Sequence, residues 1–332
     1  MIDKTKVWSN TIRLLREVNK SDVSTLDYLY HYTSCEGFTG IINKEQTISF
    51  WFTSSDCLND SSEGNYIIRV YRIACEELLK DGEIDESFYN KVIDFTPSTK
   101  GYINYLANDY KTTSKEKATF VTVDVADIET YICCFSTKEN SLDMWRCYAN
   151  SADGYSLKFN FLLFYNFLNQ TIHNQKDYID LIGRKVIYNQ NEQVIITKQY
   201  LKACYEGCEI ESLWKSREEE LKYEIESFFN TYRFIFKHEC FASENEYRFL
   251  LRLPAQKPKN MANNMLDVEY RKSGDMLIPY VNLVIKNAND YLEGVMISPF
   301  VHDSSVVEKT KDFVHSQGFK TNDISKSELP VR

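Results

Sequence analysis

Hydrophobic side chains follow a period of two in some segments and a period of 3.6 in others, so the chain is predicted to mix strands with helices. Short apolar runs, many of them alternating, predict strands at residues 26–32, 47–53, 131–136, 154–159, 185–188, 246–253, 277–284 and 291–298. Apolar positions at helical spacing predict helices at residues 4–19, 64–80, 142–149, 206–237 and 301–317. Residues 254–273 are polar and are expected to form a loop.

The predicted strands are scattered between helices without a regular strand–helix–strand alternation, which favours an α+β fold over a doubly wound sheet. We expect an N-terminal helix within residues 1–24 and a single α+β domain over residues 25–320. Helical excursions from this domain are expected at about residues 81–130 and 161–236. Residues 321–332 are expected to form a C-terminal tail.

The composition narrows the range of partners. Hydrophobic residues make up 43% of the 332 residues, which is enough for a large core, and the 23 tyrosines require polar partners inside it. The net charge is −9, and the chain has no run of five basic residues. Proteins that bind duplex nucleic acid or anionic membranes need a basic face, so both kinds of partner are disfavoured.

The cysteines and the N-terminus bear on the cellular compartment. The nine cysteines are an odd number and are scattered through the chain, as expected for free thiols. The N-terminus has no apolar stretch of the signal-peptide kind, and no segment has the roughly 18 apolar residues of a membrane span. We therefore expect a cytoplasmic protein that has no membrane partner.

His31 is the first candidate for chemistry. It ends a predicted strand and is followed by Tyr32, Thr33 and Ser34, the last of which is placed to cap a short helix. An imidazole at a sheet edge can form a hydrogen bond with a sugar hydroxyl, and the start of the helix adds free N–H donors. The alternative is a structural histidine with its hydrogen bonds satisfied by the protein.

The polar turn at residues 54–63 contains Asp56, Asp60 and Glu63. These carboxylates could bind Mg²⁺ in a nuclease. Local hydrogen bonds between side chains and the backbone of a turn explain the same residues without a ligand.

Aromatic residues follow the next apolar strand. Trp145 and Tyr148 are three apart on a predicted helix, so they share a face that could hold a flat ring, and Ser136 ends the strand before it. Core packing is the alternative explanation for this aromatic pair.

Glu246 and Arg248 are two apart in a predicted strand and therefore point to the same face. Burial of both charges needs compensation, which either a mutual salt bridge or a ligand would provide. No second pair of cysteine or histidine residues complements Cys204 and Cys208 at zinc-site spacing, and no phosphate-binding glycine loop is present. We expect no metal site.

Taken in order, these segments resemble a bacterial family catalogued as Domain of Unknown Function 2971. The matching motifs are YHYTS at 30–34, NDSSE at 59–63, CFS at 134–136 with MWRCY at 144–148 and Gly154, ENEYR at 244–248, and the late strand at 295–299. The resemblance runs from about residue 28 to residue 300. Ser61 departs from it, because the family usually has proline there.

The layout of that family in turn resembles the ADP-ribosyltransferase fold, which implies a central mixed or antiparallel sheet with flanking helices and a helical insertion. The resemblance implies that NAD is the substrate. Glu246 would stabilise the positive charge that develops on the ribose, and His31 would hold the other ribose. The remaining residues expected to contact NAD are Tyr32, Thr33, Ser136, Trp145, Tyr148 and Arg248.

The resemblance therefore implies an enzyme that transfers ADP-ribose to a protein or nucleic acid, in a toxin-like or anti-phage role, with a neutralising partner protein as a further expectation. The alternative is a non-enzymatic module on the same fold that binds a nucleotide or a protein.

Overall fold

The computed structural model describes residues 26–58, 64–96, 101–106, 120–125, 128–149, 153–173, 180–209, 218–255 and 266–331. Its strands are β1 (Tyr28–Thr33), β2 (Ile42–Asn43), β3 (Thr47–Ser54), β4 (Gly101–Leu106), β5 (Phe120–Val125), β6 (Ile128–Ser136), β7 (Tyr155–Asn160), β8 (Asp180–Lys185), β9 (Glu246–Pro254), β10 (Val268–Ser273), β11 (Met276–Ile285), β12 (Leu292–Ile297) and β13 (Asp323–Lys326). The helices are α1 (Cys35–Ile41), α2 (Tyr66–Lys80), α3 (Glu86–Val92), α4 (Leu142–Tyr148), α5 (Phe161–His173), α6 (Gln190–Glu209), α7 (Glu218–Tyr232) and α8 (Val306–Ser316).

One sheet of 11 strands organises the described residues. Its main path runs in the order β10-β11-β3-β6-β1-β7-β12-β13, with β2 on β3 and with β9 between β6 and β8. Among the described strands, only the pair β12 and β13 is parallel. The α+β prediction with a large mixed sheet is thus confirmed. Strands β4 and β5 form a separate antiparallel pair.

Hydrophobic packing covers both faces of this sheet. On one face, β-strand side chains such as Phe50, Phe135 and Phe249 pack with α5 residues, including Phe164. On the other face, Ile132 and Leu250 pack against α2, α6 and α7. Helix α2 is amphipathic and buries Ile67, Val70, Tyr71, Ala74, Cys75 and Leu78, which fall at helical spacing.

Strand β6 positions the site because it pairs fully on one edge and only partly on the other. On one edge it pairs with β9 along its whole length, which sets Ser136 opposite Glu246. On the other edge, β3 pairs only at Tyr131 and Ile132. Strand β1 pairs there only through Tyr30 and Ser136. The sheet therefore opens between β1 and β3, beside residues 133–135.

Several segments differ from the sequence prediction. The excursion at 81–130 contains α3 but also the β4–β5 pair, because alternating residues such as those of FVTVDV favour a strand over a helix. The excursion at 161–236 is interrupted by β8, which lies before the strand expected at 185–188. Within the expected helix 206–237, the structure describes helical residues up to Glu209 in α6 and over Glu218–Tyr232 in α7, and residues 210–217 lie outside the described residues.

Two polar segments become strands through tertiary pairing. Strand β10 falls inside the expected loop 254–273, where it pairs with β11. The expected tail 321–332 contains β13, which joins the sheet edge beside β12. The final helix starts at Val306 rather than near residue 301. The predicted N-terminal helix at 1–24 lies outside the described residues.

No helix within the described ranges has both the length and the apolar character needed to cross a membrane.

Gly154 lies where the end of α4 packs closely against the start of β7. A Cβ atom at this position would overlap the Cβ and the carbonyl oxygen of Ala149. We expect Gly154→Ala to lower the free energy of unfolding by about 1–3 kcal/mol, because the neighbouring backbone must move. The matched control is Gly40→Ala in α1, where a Cβ meets nothing within 4 Å. Urea unfolding should show a neutral or slightly stabilising effect there, and equal effects at both positions would contradict this packing.

Candidate active site

The opening between β1 and β3 holds two neighbouring cavities. The first has a volume of about 280 Å³, and His31, Tyr148 and Glu246 are among the residues that line it. The second has a volume of about 460 Å³ and lies on the side of α1, with Thr33 in its wall. His31 lines both. Ligand sites for small molecules commonly measure about 300–1,000 Å³, so a ligand of nucleotide size fits the combined space.

The side chain of His31 lies in the gap that β1 and β3 leave along one edge of β6. Its Nδ1 lies 3.0 Å from the carbonyl oxygen of Cys134. A carbonyl oxygen can only accept, so Nδ1 carries the proton and the neutral ring presents Nε2 as an acceptor. Burial lowers the pKa of His31 to about 4, although the bond to Cys134 opposes this shift. The ring is therefore neutral at pH 7 and can accept a hydrogen bond from a ligand hydroxyl.

Glu246 is buried at the other wall of the first cavity and is held by two cations. The Arg248 guanidinium donates to Glu246 Oε2 at 2.7 Å and 3.2 Å, and the Lys237 ammonium donates to the same oxygen at 3.1 Å. Burial alone would raise the pKa of Glu246, but the charges of Arg248 and Lys237 outweigh it and hold this pKa at about 2. Glu246 is thus ionised at every pH near neutrality, so it can attract positive charge but cannot supply a proton.

A second carboxylate extends this cluster. Lys237 also donates to Glu244 Oε2 at 2.6 Å, and the Tyr148 hydroxyl donates to Glu244 Oε1 at 2.8 Å. Burial first, and then the charge of Glu244, raise the pKa of Tyr148. Two carboxylates and two cations therefore lie together, which compensates the charges that burial would otherwise penalise.

Six of the eight residues named from the sequence line the two cavities. Tyr32, Ser136 and Tyr148 line the first cavity together with His31 and Glu246. Tyr32 and Ser136 also have structural bonds of their own, because the Tyr32 hydroxyl bonds the backbone of residues 138, 139 and 141 and the Ser136 hydroxyl donates to Glu244 O at 2.7 Å. Thr33 lines the second cavity only.

Trp145 and Arg248 do not line either cavity of the described structure. Trp145 is fully buried, packs edge-on against Tyr32 and donates its Nε1–H to Asn140 at 2.8 Å. It is therefore a core residue rather than a stacking platform. Arg248 is 2% exposed and bonds Glu246 and the Phe234 carbonyl. Of the two explanations given for the buried Glu246 and Arg248 charges, this position fits their mutual salt bridge rather than a contact between Arg248 and a ligand.

Four residues near the cavities were not predicted as site residues from the sequence: Lys237, Glu244, Trp51 and Arg271. Glu244 had a signal, since it opens the ENEYR motif. Lys237 had none, because it follows α7 and reaches Glu246 only through the fold. Trp51 and Arg271 belong to β3 and β10, which the pairing with β11 brings to the opening.

The metal-dependent alternative rested on Asp56, Asp60 and Glu63. Asp56 lies in a short 3₁₀ turn after β3, whereas Asp60 and Glu63 lie outside the described residues. In the part of the chain that the structure describes, no group of three or more His, Cys, Asp or Glu residues is arranged to hold a metal ion.

Comparison with known proteins bears on the family and not on the reaction. Residues 144–249 match the family described as a protein of unknown function, DUF2971, which confirms the family indicated by the sequence motifs. The matched region includes Tyr148, Lys237, Glu244 and Glu246, and it begins after His31. No curated protein and no solved structure matches the chain.

The neutral state of His31 predicts an acid-sensitive contribution to stability. An unfolded histidine titrates near pH 6.5, whereas folded His31 titrates near pH 4. Between these values only the unfolded chain binds the proton, so this contribution is complete above about pH 6.5 and is lost as the pH falls to about 4. From pH 7 to pH 5 we expect His31 to account for a fall of about 2 kcal/mol in the free energy of unfolding.

Urea unfolding of the wild type and His31→Gln at both pH values measures this. Glutamine can still donate to the Cys134 carbonyl but does not titrate, so the variant should lose less stability on acidification. An equal loss in both proteins would contradict the neutral state of His31.

Proposed function

We propose that this protein is an ADP-ribosyltransferase-like enzyme that cleaves NAD and transfers ADP-ribose to a macromolecule. The observation that supports this most is that His31 and Glu246, remote in sequence, line one cavity where the sheet opens. A neutral imidazole acceptor and an ionised carboxylate across a cavity suit the two riboses of a dinucleotide. The order of His31, Tyr148 and Glu246 along the chain agrees with that of the transferases that the family layout resembles.

In the proposed reaction, the bond between C1′ of the ribose and the nicotinamide nitrogen breaks. Its electron pair goes to nicotinamide, which leaves as a neutral molecule, and C1′ becomes positively charged in the transition state. A nucleophilic atom of the acceptor then bonds to C1′ and releases one proton; water in its place gives hydrolysis. Glu246 acts by attracting the positive ribose and accepting a hydrogen bond from its hydroxyl.

The geometry of Glu246 is compatible with this role. Within the described residues, its three cationic donors all go to Oε2. They hold the carboxylate ionised and fixed in one orientation, and a ligand hydroxyl would bind at Oε1. Burial raises the pKa of the neighbouring Cys134 thiol well above its usual value, and the charge of Glu246 adds to this shift, so Cys134 stays neutral and brings no competing charge.

A non-enzymatic binding module on the same fold is the second candidate. The observation in its favour is the closed pairing of Glu246 with Arg248 and Lys237, which offsets the negative charge that an oxocarbenium ion would need. Such a module would bind a nucleotide through His31 without cleaving it. The two candidates share the binding site and differ in whether the carboxylate acts on a reacting ribose.

Substitution of Glu246 separates these candidates. If the carboxylate stabilises the transition state, Glu246→Gln should reduce kcat for nicotinamide release by about 10²–10³. The substitution also removes a charge from a buried cluster, so a stability effect must be separated from a catalytic one. Glu244→Gln is the matched control, because it makes the same change at the other carboxylate bonded to Lys237.

The assay follows labelled NAD with purified protein in the presence and absence of cell lysate, alongside thermal melts of each variant. Label on a macromolecule with the wild type and the Glu244→Gln variant, but not with Glu246→Gln, would support the transferase. NAD binding without nicotinamide release by the wild type would reject the enzyme in favour of the binding module.

A toxin-like or anti-phage role extends the transferase proposal, and its support is the family layout alone. It predicts that expression slows host growth or limits phage, and that Glu246→Gln removes the effect because the acceptor is no longer modified. Plating of cells that express either protein, with and without phage, measures this. Equal growth and equal phage yield in both strains would reject the role while leaving NAD turnover to its own test.

A further inference from the structure

The two cavities share four lining residues that mark the junction between them: His31, Trp51, Thr53 and Arg271. His31 belongs to the wall formed by β1. The other three come from β3 and β10, on the opposite side of the opening. A ligand that extends from one cavity into the other must therefore pass Trp51 and Arg271.

Arg271 has N–H donors at this junction that the described residues do not fully satisfy. Its Nε–H is buried and has no hydrogen-bond partner among the described residues. Its Nη2 reaches the Thr53 hydroxyl at 3.5 Å, which is the outer limit of a hydrogen bond. A buried N–H donor normally finds an acceptor, and a guanidinium fork suits the oxygens of a phosphate.

Trp51 provides a flat surface next to this cation. The indole is 48% exposed, although it is one of the largest apolar side chains on the sheet. It lies 4.7 Å from the Tyr280 ring, centroid to centroid, and the Arg271 guanidinium carbon lies 5.7 Å from the indole centroid. The ring is thus held in place while much of it remains open for stacking.

The charges around the junction favour an anion. Arg271 and Lys272 line the second cavity, where Glu36 is the carboxylate in the wall. In the first cavity the carboxylate is Glu246, which Lys237 and Arg248 already neutralise. The charged residues that line the second cavity are thus two cations and one carboxylate, while Glu269 of β10 lies outside both cavities and accepts a hydrogen bond from the Tyr280 hydroxyl at 2.8 Å.

We propose that Arg271 and Trp51 form a nucleoside-diphosphate subsite, in which Arg271 binds the diphosphate and Trp51 stacks on the base. This subsite would hold the half of the dinucleotide that does not react, and in this way it extends the proposed function. It rests on that function only for the identity of the natural ligand. Arg271 and Trp51 are binding residues, and neither lies at the bond that would break.

The test measures binding of ADP and of inorganic pyrophosphate to the full chain by titration calorimetry. Arg271→Met should weaken both ligands by about 10- to 100-fold, because it removes charge-assisted hydrogen bonds. Trp51→Leu should weaken ADP by about 5- to 100-fold and leave pyrophosphate nearly unchanged, because only ADP carries a base. Arg271→Lys keeps the charge without the planar fork and should give an intermediate loss.

Two controls match these changes away from the junction. Lys309→Met removes a positive charge from α8, where the side chain is 70% exposed. Tyr270→Leu removes an aromatic ring from β10 that is 65% exposed and lies outside both cavities. Both should retain wild-type affinity, and thermal melts verify that each variant is folded.

The outcomes separate this proposal from the proposed reaction. Loss of ADP binding in Arg271→Met, in a protein that does not cleave NAD, would support the subsite and reject the transferase. NAD cleavage with an unchanged KM in Arg271→Met would overturn the subsite and keep the transferase. Failure of the wild type to bind ADP or pyrophosphate, or equal affinities in wild type, Arg271→Met and Trp51→Leu, would also overturn the subsite.

Discussion

One edge of strand β6 is shared between two strands that cannot both pair along it, and the candidate site depends on this constraint. Strand β3 takes the beginning of the edge and β1 takes its end, so backbone groups between them need other partners. His31 satisfies the Cys134 carbonyl with its own Nδ1–H, which replaces a ladder hydrogen bond with a side chain. The sheet can therefore remain open at this point without leaving that carbonyl unpaired, and the opening becomes a cavity with an imidazole in its wall.

The wall of the cavity that contains Glu246 depends on a balance between buried positive and negative charges. Glu246, Arg248, Lys237 and Glu244 form a buried cluster in which each charge compensates another. Such clusters are sensitive to the loss of one member and contribute less to stability than their number suggests. Their benefit is orientation, because a carboxylate fixed at one oxygen presents the other in a defined direction. The two cations of this cluster also reduce the negative electrostatic potential that Glu246 produces in the cavity. Binding of a ligand at this site therefore does not by itself imply catalysis.

The sequence predicted those parts of the fold that depend on local patterns. The strand at 131–136, the helix at 64–80 and the shared face of Glu246 and Arg248 follow from periodicity, and the structure has them. Strands β10 and β13 are mostly polar and lie at the edges of the sheet, so only their partners identify them as strands.

The residues of the candidate site also divide into those that local sequence patterns identify and those that only tertiary contacts bring together. Glu246 begins β9 and His31 lies within β1, both in recognisable motifs, so they could be found from the sequence. Lys237 and Arg271 reach the site through loop and hairpin geometry that no local spacing encodes. Trp145 and Tyr148 share a helix and a motif, yet burial assigns one to the core and the other to the cavity wall.

The most direct test of the central claim, that the opening between β1 and β3 is a dinucleotide site, is a crystal structure of the protein with an NAD analogue that cannot be cleaved. We expect the analogue to lie in the opening, with one ribose hydroxyl bonded to His31 Nε2 and the nicotinamide ribose next to Glu246 Oε1. An analogue bound elsewhere on the protein, or a filled opening in which Glu246 stays out of contact with the ligand, would contradict this claim.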